Sequence, residues 1–200
     1  NSFVMTKNNL NVSRETLQKI NKFIKILLLW NNRLNLISRN TESDILERHI
    51  IDSLQLSNYL SPDDQILDFG TGAGFPGMVL NIAGYKNITL IDSVRKKCDF
   101  LLAVKKELNL SAIIVNDRVE TIQKIPCNVI TARAVAPLDK LLKLIQPHYN
   151  KNVTCWFFKG KTYLDEIAKA EKLWKFNYKS YRSITSAESV ILKITDIEWK

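Results

Sequence analysis

Cysteine and histidine are both scarce in this chain. Cys98, Cys127 and Cys155 are odd in number, far apart and without a C-x-x-C pair. That excludes a disulfide framework or a zinc site and points to a reducing compartment. Histidine is limited to His49 and His148, and no metal is expected. Long apolar runs are missing too. The greasiest segment, Ile26 to Trp30, falls far short of the roughly 20 residues of a membrane span and lies in a helical pattern. No basic stretch, apolar run and cleavage site opens the chain, so a cytoplasmic location is expected. Asn1 to Val4 stand ahead of Met5 and read as either an added or a truncated start. No repeats or low-complexity segments occur. Acidic charge is in deficit: 20 Asp and Glu face 29 Lys and Arg, leaving a net +9 and a pI near 9.4. Such a balance suits either a polyanionic partner or a merely basic soluble protein.

Two hundred residues suffice for one sizeable core and are short for two. From Ser13, a capping residue, Leu17, Ile20, Ile24, Leu27 and Leu28 recur at helical spacing to about Trp30, where Asn31-Asn32-Arg33 reads as a break. A second helix is expected from Thr41 or Ser43 to about Asn58, burying Ile45, Leu46, Ile50 and Leu54. These residues, 1–60, form an N-terminal helical cap, because neither helix covers its own apolar stripe. In residues 61–200 strands and helices alternate as in a parallel sheet. The expected strands are Ile66 to Phe69, Ile88 to Ile91, Ala112 to Val115, Asn128 to Thr131 and Thr154 to Phe158. Helices are expected after Gly77, over Arg95 to Leu108, over Leu138 to Ile145 and over Thr162 to Lys175. Tyr178 to Ile184 and Ser189 to Ile194 read as a closing hairpin. The fold class is therefore α/β and Rossmann-like, a mostly parallel sheet ending in an antiparallel hairpin as in methyltransferases.

Glycine is also sparse, yet four of the six glycines fall between Gly70 and Gly77, directly behind the first strand. Glycines between strand and helix let the backbone approach a ligand closely. Gly72-x-Gly74-x-x-Gly77 has the letters of a dinucleotide site, but it starts late and Pro76 removes an amide that an anion would need. Asp68 at the strand end also opposes a phosphate. S-adenosylmethionine has no phosphate and carries an ammonium and a sulfonium, so Asp68 suits it as amine partner, with close approach at Gly70 and Gly72. A plain glycine turn is the alternative.

Further candidates end the later strands. Asp92 is placed to accept ribose hydroxyls, to cap the next helix, or both. Val119 can stack on an adenine beside Asn116-Asp117-Arg118 and Glu120. Arg133, flanked by alanines, can hold a cofactor carboxylate or an RNA phosphate. His49 and Asp52 invite an acid-base reading or a contact to an RNA substrate, but a structural tie between cap and domain is the stronger account for the histidine. Lys159 and Lys161 are either an exposed basic turn or phosphate contacts.

Taken in order, Trp30-Asn31, Asn35-Leu36, His49-x-x-Asp52-Ser53-Leu54, Asp68 to Gly77, Asp92-Ser93-x-x-Lys96-Lys97-x-x-Phe100-Leu101, Arg118-x-Glu120, Arg133 to Ala136 and Lys159-Gly160 resemble the RsmG family, also called GidB. Its members methylate ring nitrogen 7 of a guanine in the decoding region of 16S ribosomal RNA. The resemblance runs from about Trp30 to Gly160. It implies that Gly70, Phe75, Val119, Glu120 and Arg133 contact S-adenosylmethionine, with Asp92 on the ribose. It also implies 16S RNA or a small-subunit particle as partner; separately, a monomer is expected. Ile37 departs from the pattern, since members usually carry threonine there. Nitrogen 7 has a lone pair and no proton, so no general base is needed and no catalytic acid or base is assigned. Two other classes stay open: a nicotinamide-dependent oxidoreductase, disfavoured by Pro76, and a non-catalytic RNA-binding module, which leaves the cofactor residues without a purpose.

Overall fold

The computed structural model describes residues 12–200, so the character of Asn1 to Val4 lies outside the described residues. Short apolar runs form seven strands: β1 (Ile66–Phe69), β2 (Ile88–Asp92), β3 (Ile113–Asn116), β4 (Val129–Arg133), β5 (Thr154–Lys159), β6 (Trp174–Arg182) and β7 (Val190–Trp199). They make one sheet in the order β3-β2-β1-β4-β5-β7-β6. All are parallel except β7, which runs antiparallel to both neighbours. Every residue of β1 is buried, as a central strand covered on both faces requires.

Six α-helical segments accompany the sheet: α1 (Arg14–Leu34), α2 (Asp52–Leu54), α3 (Gly77–Ile82), α4 (Arg95–Leu108), α5 (Leu138–Ile145) and α6 (Tyr163–Ala170). One apolar core joins α1, the segment around Ile50 to Leu60, α3 and α4 to Ile66, Leu90, Trp156 and Ile191 of the sheet. Within it Phe23 of α1 meets Phe75 edge-on, ring centres 5.8 Å apart, and lies 6.3 Å from Phe100. The N-terminal helices thus share the sheet's core. A second core, on the other face, packs α5 and α6 on Leu67, Ile130 and Phe157.

The expected capping of α1 is present: Ser13 Oγ accepts from the Thr16 N–H at 3.1 Å. The expected break at Asn31 to Arg33 is not, because the helix continues to Leu34 and stops where Asn35 adopts a left-handed conformation, φ 49°. Asn31 turns inward instead, donating to Glu42 Oε1 and accepting from the Ile37 N–H. Ile37 itself is buried. Leu17 is exposed and Phe23 takes the central position on the buried face. The second expected helix is irregular: a π-helical stretch (Leu46–Ile51), then α2, then a 3-10 turn (Gln55–Asn58). The wider turn buries Ile45 and Ile50 and leaves Leu46 exposed. Near the C-terminus α6 ends at Ala170 rather than Lys175, since Trp174 and Lys175 already belong to β6, and both hairpin strands are longer than expected.

Among the described residues no helix is long and apolar enough to cross a membrane. Because Phe23 is fully buried between the cap and the sheet, Phe23→Ala should cost about 3–5 kcal/mol. Urea unfolding should show that loss in a single transition. An early, separate transition would mean that the cap and the sheet fold independently.

Candidate functional site

The carboxyl edge of the sheet collects the candidates, and Asp68 anchors it. Its side chain is completely buried. Oδ2 accepts from the Gly77 N–H at 2.9 Å and the Thr71 hydroxyl at 2.6 Å, and Oδ1 accepts from the Thr131 hydroxyl at 2.8 Å. Burial pushes the carboxyl up to about 6, against the pull of these donors. The expectation that Asp68 receives a cofactor amine is therefore corrected: its oxygens are enclosed and bind the glycine turn to β1 and β4. The Gly77 N–H at the start of α3 is spent on this contact and Pro76 has none, so the amides a pyrophosphate would use are taken.

Gly70, Gly72 and Gly74 all have positive φ, at 60°, 57° and 89°. A Cβ on Gly70 would lie 2.6 Å from a Val135 methyl, so that space is packed rather than left for a ligand. Beside Gly72 it is open, with only Gly70 O at 3.9 Å. Close backbone approach belongs to Gly72.

A cavity of about 230 Å³ opens next to this turn, walled by Gly70, Asp92, Ser93, Val119, Glu120 and Val135, among others. Asp92 lines it and does not cap α4: Oδ2 accepts from the Gly72 N–H and Oδ1 from the N–H of Val94, the residue ahead of the helix, each at 2.9 Å. Val119 is held by His148, which the sequence offered no reason to place here. His148 is fully buried; its Nε2 donates to the Val119 carbonyl at 2.6 Å, and its Nδ1 accepts from the Ile125 N–H at 3.1 Å. Only the neutral tautomer with the proton on Nε2 makes both bonds. Glu120 is exposed, 3.9 Å from Arg118. This lining of small residues, an apolar wall and a carboxylate suits a nucleoside.

Arg133, His49, Asp52 and Phe75 come together where the N-terminal segment meets the end of β4. The Arg133 guanidinium donates to Asp52 Oδ2 at 3.0 Å, to the Arg48 carbonyl at 3.1 Å and to His49 Nδ1 at 2.9 Å. Since arginine only donates, Nδ1 accepts and His49 Nε2 carries the proton toward Thr41 Oγ1 at 3.1 Å. Burial, then the Arg133 and Arg48 charges, lowers His49 to about 4. Both ring nitrogens are engaged, so the imidazole ties cap to sheet and offers no free base. Asp52 is saturated as well, accepting on Oδ1 from Gln55 and Thr185.

Phe75 is buried, stacked on the His49 ring at 4.9 Å, with the Arg133 guanidinium 4.7 Å from its centre and Phe23 edge-on at 5.8 Å. Arg133 reaches a second cavity of about 230 Å³ but arrives already neutralised by Asp52, not as a free cation awaiting a carboxylate or phosphate. Lys159 is likewise corrected from a phosphate contact. It is buried and donates to the Ala136 carbonyl at 2.8 Å and Glu166 Oε2 at 2.7 Å. Lys161 is exposed.

The model of the GidB family, described as rRNA small subunit methyltransferase G, matches residues 16–195. The chain is 42% identical to Ribosomal RNA small subunit methyltransferase G of Orientia tsutsugamushi, strain Ikeda, over 93% of each chain. It is 38% identical to the protein of that name from Rickettsia akari, over 93% of this chain and 97% of the other. Among solved structures, a TehB-like SAM-dependent methyltransferase from Corynebacterium glutamicum shares the fold with a TM-score of 0.58 at 15% identity, covering 85% of this chain and 97% of that one. A SAM dependent methyltransferase from Aquifex aeolicus does so with 0.59 at 12% identity, covering 76% and 93%.

Asp68→Ala strands three buried donors at about 1–3 kcal/mol each, so it should unfold the chain or lower its stability severely. Asp68→Asn should recover much of this, because the amide oxygen replaces Oδ2 and the Thr131 hydroxyl can rotate to accept. Equal melting temperatures for the two variants would contradict that account. His49 gives a pH signature. Its folded value lies below its unfolded one, so its contribution is present above about pH 6.5 and lost as pH falls through about 4. Between about pH 7 and about pH 4.5 wild type should lose more stability than His49→Gln. Asp68, raised on folding, acts in the opposite sense, its contribution being lost as pH rises through about 6, and it cancels in the comparison.

Proposed function

The chain belongs to the GidB family of rRNA small subunit methyltransferases, and from that premise we propose that it transfers a methyl group from S-adenosylmethionine to ring nitrogen 7 of a guanine in 16S ribosomal RNA. The observation that carries this reading is the cavity walled by Gly70, Asp92 and Val119 beside a glycine turn whose helix-start amide is already spent on Asp68. A nucleoside without phosphate fits there and a pyrophosphate does not. The same observation disfavours a nicotinamide oxidoreductase, and a site built in this detail disfavours an RNA-binding module without chemistry.

In this reading Asp92 offers the lone pairs left by its two backbone bonds to the ribose hydroxyls. Val119 supplies an apolar wall for adenine, Glu120 a polar edge, and the open backbone at Gly72 allows close approach. S-adenosylmethionine supplies an electrophilic methyl group on a sulfonium. The residues of the chain position and desolvate. His148 holds the Val119 wall, and the neutral Arg133–Asp52 pair keeps a rigid polar floor without adding net charge. Nitrogen 7 has no proton to remove, which agrees with a His49 engaged at both nitrogens. Rate enhancement then rests on alignment and electrostatics. The chain acts in the cytoplasm, as a monomer, on small-subunit RNA or a particle containing it.

S-adenosylhomocysteine should bind in calorimetry and NAD should not. Gly72→Val, which closes the open approach, should abolish binding in a folded protein. Mass spectrometry of 16S RNA incubated with enzyme and S-adenosylmethionine should show one added methyl on a guanine, at nitrogen 7. Tight NAD binding, or methylation at another atom, would overturn the assignment.

A further inference from the structure

Several cations at the carboxyl edge of the sheet are already paired. Arg133 is paired with Asp52 at 3.0 Å and Lys159 with Glu166 at 2.7 Å, while Arg118 lies 3.9 Å from Glu120. Lys161 and Arg182 differ. Among the described residues neither makes an ion pair, and both line one cavity of about 560 Å³, together with Tyr163, Ser180, Glu188 and Val190. The sheet sets their spacing: Lys161 follows Gly160 at the end of β5, and Arg182 pairs with Val190 at the start of β7. Val190 also lines the cavity that holds Arg133, Asp52, Ser183 and Ser189, so the two spaces meet at one strand end.

We infer that this outer cavity seats a phosphodiester of the RNA substrate adjoining the target nucleotide, with Lys161 and Arg182 as its cationic ligands. The charge suits that occupant. Two cations and the carboxylate of Glu188 leave one net positive charge, which matches the single negative charge of a phosphodiester. Arg182 brings the planar donor fork that phosphate oxygens accept, Lys161 a mobile point charge, and Tyr163 and Ser180 hydroxyl donors. The inference rests on the ribosomal RNA reading but not on the cofactor site, whose residues lie elsewhere on the edge.

The test uses the full chain and 16S RNA made by transcription. RNA affinity is measured from about 50 to about 200 mM salt for wild type, Lys161→Ala, Arg182→Ala and the double variant. S-adenosylhomocysteine calorimetry and melting curves run alongside. Each single variant should flatten the salt slope by about 0.7, and the double by about twice that, with cofactor affinity unchanged. Glu188→Gln should tighten RNA binding. A control pair, Lys140→Ala with Lys143→Ala on exposed positions of α5, removes equal charge and should flatten the slope less. Inorganic phosphate at millimolar level should not compete, which distinguishes an RNA backbone from a free anion. An unchanged slope in the folded double variant, or equal flattening by the control pair, overturns the inference. If the variants flatten the slope but wild type neither binds S-adenosylhomocysteine nor methylates RNA, the phosphate seat stands and the proposed function falls.

Discussion

The carboxylate of Asp68 is the constraint on which the rest depends. A fully buried acid without partners would be strongly unfavourable, and here three donors from three different places satisfy it: the glycine turn, the start of α3 and β4. Because those donors are fixed to β1, the turn cannot drift, and three residues in it accept positive φ. Gly77 is the tightest point: a Cβ there would run into Leu90 and into the side chain of Asp68 itself. The same bond decides ligand class, since it consumes the amide at the helix start.

A second principle orders the edge. Its charges are mostly cancelled in pairs before any ligand arrives, through Arg133 with Asp52 and Lys159 with Glu166. Pairs this deeply placed cost desolvation and contribute little net stability, but they hold geometry. They leave the ends of β4 and β5 without an unpaired charge at these two positions. The overall +9 is accordingly carried on the outside, where a polyanion can reach it.

Much of the fold was legible because the relevant signals are local. Strand β1 and helices α4 and α5 have the residues that apolar periodicity assigns them. The π-helical stretch was not legible, since its apolar spacing resembles that of an α-helix with one misplaced leucine. Side-chain partners were less accessible still. Arg133 finds Asp52 across 81 residues and His49 across 84, and His148 reaches Val119 across 29, with no local pattern linking them. A residue named as a ligand contact because it sits at a strand end, such as Asp68 or Lys159, is used inward for the same reason. The strand end is where the core closes as well as where ligands bind.

Asp52 is fastened by Thr185 from the final hairpin, 133 residues later, and β7 lies between β5 and β6. A chain emerging from a ribosome therefore carries its cap and most of its sheet long before the last strand can be inserted between two others. Until then Asp52 lacks its hydroxyl donors, and the strand edge of β5 is bare. The polar tie at Asp52 is therefore completed only when β7 has taken its place between β5 and β6.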